Sequence, residues 1–193
     1  LEVPPMQPSM TSTLMGGFGL QHLHHMASLP QSNILLALLR DGFHEQSQGG
    51  SVALRDNGDP LLDYPVTDYL WDGVRRAFLS MGEIQFAAGA RAVMPSHAHG
   101  RLSTSWADYQ EQVAGLSYRL HDVRLASAHV MGGCAMGEDP TRAVVNSQGR
   151  HHQLENLSII DGSLFPTSIG ANPQLSVYGL AARLASQLAS DLG

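Results

Sequence analysis

Two segments carry residue types that could do chemistry. One is His129-Val130-Met131-Gly132-Gly133-Cys134-Ala135-Met136-Gly137. The other is Asp161-Gly162-Ser163-Leu164-Phe165-Pro166-Thr167-Ser168-Ile169-Gly170-Ala171-Asn172-Pro173-Gln174. Each sets polar, glycine-rich chain beside apolar elements, where backbone turns sharply or comes close to a ligand. His129 offers a general base, because imidazole is the side chain whose ordinary pKa lies nearest neutrality. The second segment reads as strand end, loop and helix start. Asp161 could hold a sugar hydroxyl, and the helix opening at Asn172-Pro173-Gln174 offers N–H groups and a positive dipole end to an anion or an electron-accepting ring. Spacing alone also supports plainer readings. Asp161-Gly162 and Gly170 then make turns, Asn172 caps a helix, and His129 is a packed histidine.

Other clusters carry less. His22, His24 and His25, the pair His97 and His99, and the pair His151 and His152 have metal-ligating nitrogens. No carboxylate or thiol stands at a helix-spaced position to complete a site, so no metal is expected. Cys134 in its glycine-rich turn reads as a packing residue.

The elements that would position these groups follow from periodicity. Residues 1–32, rich in Pro, Ser, Met, Gly and His, read as irregular loop. Asn33–Arg40 is a short apolar run that suits a buried strand or a helical turn. Ser51–Arg55, Asp56-Asn57-Gly58-Asp59 and Leu61–Val66 predict a β-hairpin, since Asn-Gly tolerates positive φ. Leu70, Val74, Phe78, Met81 and Ile84 recur at helical spacing and predict a helix over Thr67–Ala90, which Gly89 ends. Arg91–Pro95 reads as a strand. Ser105-Trp106-Ala107-Asp108 has capping-box character and opens a helix to about Leu116. Leu157–Ile160 is a short strand. Pro173 starts a last helix to about Leu188, with Leu175, Leu180, Leu184 and Leu188 on its buried side.

Composition bounds the partners. The 193 residues hold 17 acidic and 11 basic side chains, all the basic ones Arg, for a formal charge of −6. A basic face for nucleic acid is therefore not expected. Ordinary apolar content argues against disorder. The longest apolar runs, such as Ile34–Leu39, are too short to cross a bilayer, so no transmembrane segment is expected. One cysteine excludes an internal disulfide framework and leaves the compartment unknown. The start Leu1-Glu2-Val3-Pro4-Pro5 has no targeting character and reads as the interior of a longer protein.

Taken in order, His129, Gly132-Gly133-Cys134, Met136-Gly137, Val144-Val145-Asn146, Asn156-Leu157, Asp161-Gly162-Ser163, Pro166-Thr167 and Asn172-Pro173 closely resemble the C-terminal signature of the glucose–methanol–choline (GMC) flavin oxidoreductases. Gly133 stands where that family often has Thr, and Asn146 where it often has Asp. The hairpin and long helix over residues 51–90 resemble the substrate domain of its long-chain-alcohol and sterol-type members. The resemblance implies oxidation of an alcohol, apolar or bulky, with hydride passing to FAD. It implies that His129 takes the hydroxyl proton and Asn172 holds the substrate oxygen. Asp161 and Gly162 would line the ribityl and phosphate side of the flavin, and Pro173 and Gln174 its pyrimidine end. It leaves open whether oxygen, a quinone or a cytochrome accepts the electrons. No Gly-x-Gly-x-x-Gly fingerprint occurs in the sequence, so the N-terminal FAD domain is expected to lie outside it and flavin binding by this chain alone to be weak or absent. The implied fold is α+β, an antiparallel sheet of about five or six strands. Helices 67–90 and 105–116 cover one side, and the C-terminal helix stands apart. Residues 1–32 form an irregular N-terminal segment, 33–155 a substrate-binding domain and 156–193 the end of the FAD domain. The alternative is a scaffold or interaction domain of the same descent that works without flavin.

Overall fold

The computed structural model describes residues 1–47 and 49–193. Helix and strand are mixed, and the chain divides into two units, Leu1–Leu39 with Gln46–Leu125, and Arg40–Glu45 with Ala126–Gly193.

In the first unit the core lies between two helices, α3 (Asp68–Ala87) and α4 (Trp106–Gly115). The apolar stripe of α3 buries Val74 and Phe78, which pack with Tyr109, Val113 and Val123. The Cδ1, Cε1 and Cζ atoms of the Tyr109 ring pack against Gly82, where any Cβ would collide with them, and the Tyr109 hydroxyl donates to the Phe78 carbonyl at 3.1 Å. Ser105 caps α4 by accepting the Asp108 N–H at 3.2 Å, as its sequence predicts. The α3 helix ends as expected at Gly89, whose φ of +90° a Cβ would oppose. Ile84 departs from the expected stripe and is exposed.

The hairpin forms where Asn57-Gly58 predicts it. Strands β1 (Ser51–Leu54) and β2 (Pro60–Asp63) pair antiparallel, with Ser51 opposite Asp63 and Leu54 opposite Pro60. Asn57 closes the turn, its Oδ1 accepting the Asp59 N–H at 3.1 Å.

The sheet is smaller than expected. Among the described residues it has two strands rather than five or six, and all residues of β1 and β2 are exposed, so no helix covers them. Elsewhere extended chain meets in single bridges, Val93 with Ser103 and His97 with Val123. Pro95 and Gly100 interrupt these stretches, and neither residue sustains a ladder. Asn33–Arg40 is likewise extended but makes one bridge, Leu36 to Glu2.

Residues 1–32 are more ordered than their composition predicts. They form α1 (Pro8–Leu14), α2 (Gly19–Ala27) and a 3-10 turn at Leu29–Gln31. Pro8 presets the first turn of α1. The hydroxyls of Ser12 and Thr13 donate back to carbonyls three residues earlier, both at 2.8 Å, so their hydrogen bonds stay inside the helix. Thr11 is the buried residue of α1 and α2 buries none; Leu20, Leu23 and Ala27 of α2 recur at helical spacing but stay exposed.

The second unit is built on Val145, Leu164 and Leu184, packed with Met136, Ile159 and Leu180. Bridges join Met136 to Val145, Val145 to His151 and Arg150 to Ser158. Helix α5 (Gln174–Leu192) lays Leu184 into this core, and Leu180 and Leu188 are half-buried. Leu175, expected on the same face, is exposed. Arg150 ties the far end of α5 through Asp191 at 2.8 Å. Among the described residues no helix is long and apolar enough to cross a membrane.

Candidate active site

The two glycine-rich segments meet in the second unit. The Cys134 N–H donates to the Ser163 carbonyl at 3.1 Å and the Met136 N–H to the Leu164 carbonyl at 2.9 Å. The chain leading from His129 thus runs along the turn that follows Asp161. The segments also approach each other at Gly162. A methyl group there would lie 3.3 Å from the Val130 carbonyl oxygen and 3.6 Å from Val177, on the first turn of α5. Val130, next to His129, and the start of α5 therefore meet across a residue that has no side chain.

His129 is half-buried and Asn172 is exposed. Helix α5 begins at Gln174 with Pro173 at the cap position and no side-chain cap there, so Asn172 stands one residue outside the helix. Pro173 is buried, and its carbonyl accepts the Val177 N–H at 2.8 Å. Gln174 donates to the Tyr178 hydroxyl at 2.5 Å along the exposed face. The N–H groups of Gln174 to Ser176 have no acceptor within the helix, as at any helix start.

Asp161 is engaged locally. Its Oδ1 accepts from the Ser163 hydroxyl at 2.5 Å and the Ser163 N–H at 2.7 Å, capping the 3-10 turn Gly162–Leu164. The hydroxyl bond first, then the amide bond, holds the carboxyl below its ordinary pKa.

The histidine pairs serve as local hydrogen-bonding groups. His97 is buried, bonded through Nε2 to the Ser117 carbonyl at 2.8 Å and through Nδ1 to the His99 N–H at 3.0 Å. His152 bonds the Gly137 carbonyl at 2.9 Å, and His151 Nδ1 accepts the N–H groups of Gln153 and Leu154, both at 3.1 Å. Among the described residues no three His, Cys, Asp or Glu side chains are grouped to hold a metal ion.

Two features escaped the sequence. One is an open pocket of about 270 Å³ between Met136, Glu138, Asp139, Arg142 and Pro166. The other is the packing of residues 40–45 against the loop that leads to Asn172, where Thr167 meets Gly42 and Gly170 meets Phe43. More than 120 residues separate these partners in sequence, and no local pattern encodes such a contact.

Comparison with known proteins accords with this arrangement. A family model for the C-terminal domain, described as GMC oxidoreductase, matches residues 46–181. An uncharacterized GMC-type oxidoreductase of Sinorhizobium fredii is 31% identical over 127 residues, 66% of this chain and 25% of that one. A long-chain-alcohol oxidase of Arabidopsis thaliana is 26% identical over 94% of this chain and 25% of its own length. A cholesterol oxidase of Acinetobacter baumannii is 42% identical over 62 residues, 32% of this chain and 11% of that one. The chain thus spans about a quarter of the length of the first two relatives. With its paired signature segments and a match over more than half its length, the chain belongs to the GMC oxidoreductase family.

Proposed function

We propose that the chain is the C-terminal, substrate-facing part of a flavin-dependent alcohol oxidoreductase that acts on CH–OH donors. Residues 33–155 would bind substrate and residues 156–193 would complete the FAD domain, with 126–155 linking the two roles because they pack in the unit of α5. The observation that carries this reading is the meeting of Val130, Gly162 and Val177, which joins the His129 segment to the start of α5.

The residues fit an FAD. Gly162 lets the Val130 carbonyl and Val177 approach where a Cβ would crowd them, and α5 opens with N–H groups that have no acceptor within the helix and that Pro173, at its cap, does not cover with a side-chain bond. Gly162, Pro173 and Gln174 would face the cofactor, with Asp161 holding the turn that presents Gly162. When bound, the flavin supplies the two-electron acceptor. The protein's own work concerns the proton and the geometry. An alcohol hydroxyl has a pKa far above neutrality, so oxidation at its carbon is slow unless a base takes the proton. His129 accepts it on a ring nitrogen. Asn172 donates an amide hydrogen bond to the substrate oxygen and fixes the carbon to be oxidised. The long-chain-alcohol oxidase among the relatives supports a substrate with an extended apolar part.

The test is anaerobic stopped-flow reduction of the full-length flavoprotein by alcohol. His129→Ala is expected to slow reduction by roughly 100-fold or more, with flavin content unchanged. A rate close to wild type would remove His129 from the role.

A further inference from the structure

We infer that residues 40–45 form a wall of the alcohol subsite and that Phe43 is its specificity-determining residue, selecting apolar alcohols. This rests on the alcohol-oxidoreductase reading above. These residues come from the first half of the sequence yet belong to the second unit. They are fastened to the loop that precedes Asn172 at two glycines. Gly42 has φ of +91°, and a methyl group on it would collide with Thr167 Oγ1. That hydroxyl donates to the Gly42 carbonyl at 3.4 Å, while the Gly42 N–H donates to Asp41 Oδ1 at 3.0 Å. Gly170 has φ of +75°, and a methyl group on it would lie 3.2 Å from Phe43 Cζ and 3.3 Å from Arg40 Nε. The Arg40 guanidinium carbon in turn sits 5.9 Å from the Phe43 ring centroid, a cation–π distance.

The loop bearing Asn172 is therefore bordered by the His129 segment and by Phe43. Gly132 of the His129 segment approaches Pro166, with a methyl group on it 3.5 Å from that carbonyl, and Phe43 approaches Gly170. Phe43 is 54% exposed. Arg40 and Gly170 hold its ring while about half of it remains open, two residues from the side chain read as holding the substrate oxygen. A phenyl ring has no hydrogen bond to offer. It discriminates alcohols only by the apolar surface they bury, so its preference must grow with chain length.

The test compares kcat/KM for decanol and butanol on the full-length flavoprotein. Phe43→Ala is expected to lower the value for decanol by about tenfold and for butanol by less than about twofold, the loss of a contact worth roughly two methylenes. Phe43→Leu should retain most of the preference. Equal losses for both alcohols would make the ring a loop support only, and no loss would remove it from the site; either overturns the inference. The readout is a ratio on one enzyme, so it stands whichever residue takes the proton. Phe43→Trp supplies a measurement that needs no turnover. Its added fluorescence, compared with wild type, should shift to shorter wavelength with decanol and not with butanol, and an unmoved spectrum overturns the inference even if neither alcohol is oxidised.

Discussion

Asp161 shows how one side chain can satisfy two descriptions. The sequence permitted a sugar-binding carboxylate or a turn, and the structure has its Oδ1 accepting two bonds from Ser163. These bonds depress its pKa, so their contribution is fully present above the ordinary carboxylate value and is lost as pH falls through the depressed one. Asp161→Ala removes the acceptor and should cost about 1 kcal/mol in urea unfolding at neutral pH. Asp161→Asn keeps an oxygen in place and should cost less, while losing the pH-dependent part of the stability that the wild type shows as pH falls below the ordinary carboxylate value. Equal losses in the two variants would mean that charge, not turn geometry, is what the position supplies. The proposed roles of His129 and Asn172 rest on residue type and order, which the sequence displays. Phe43 was not legible there, because its importance comes from a contact with Gly170 that only folding creates.

At the scale of elements, legibility followed the strength of the local signal. Helix α3 has a stripe, α4 has a cap in Ser105, and the hairpin has Asn57-Gly58, so each fell where expected. Helices α1 and α2 bury a single residue between them, and the Leu20, Leu23 and Ala27 spacing of α2 is short and flanked by Gly, Ser and Pro that read as loop. The larger sheet failed for the opposite reason. Short β-rich stretches were present, but pairing depends on distant partners, and Pro and Gly confine the ladders to single bridges. The packing of Tyr109 against Gly82 was equally silent in sequence. Gly82→Ala tests it. Alanine gains up to about 1 kcal/mol of helix propensity, but the Cβ must push aside a ring packed with Phe86 and Trp106, at about 1–3 kcal/mol or more. The net outcome should be a lower melting temperature of the full-length protein. An unchanged or higher one would show that the α3–α4 contact yields at no cost.

The whole molecule explains the one failure on α5. Periodicity assigned Leu175 to the buried side with Leu180, Leu184 and Leu188, yet it is 83% exposed, with Tyr178 exposed near it. Such a stripe is continuous in sequence but covered only in its second half. The relatives extend well beyond the part this chain matches, and a segment that completes a flavin domain, as proposed for residues 156–193, must offer apolar surface to the rest of that domain. The same argument fixes what a charge at this position should do. In the chain alone Leu175→Glu touches solvent, and its effect on unfolding should stay within about 0.5 kcal/mol. In the full-length protein the same substitution would bury a carboxylate against an apolar partner. There it should cost the roughly 1.5–3 kcal/mol of a buried leucine or more, and lower the flavin bound per mole of protein. Melting temperature and absorbance near the flavin maximum read both effects. A full-length Leu175→Glu protein with normal melting and full flavin content would mean that the start of α5 stays exposed throughout, and that residues 156–193 do not complete a flavin domain.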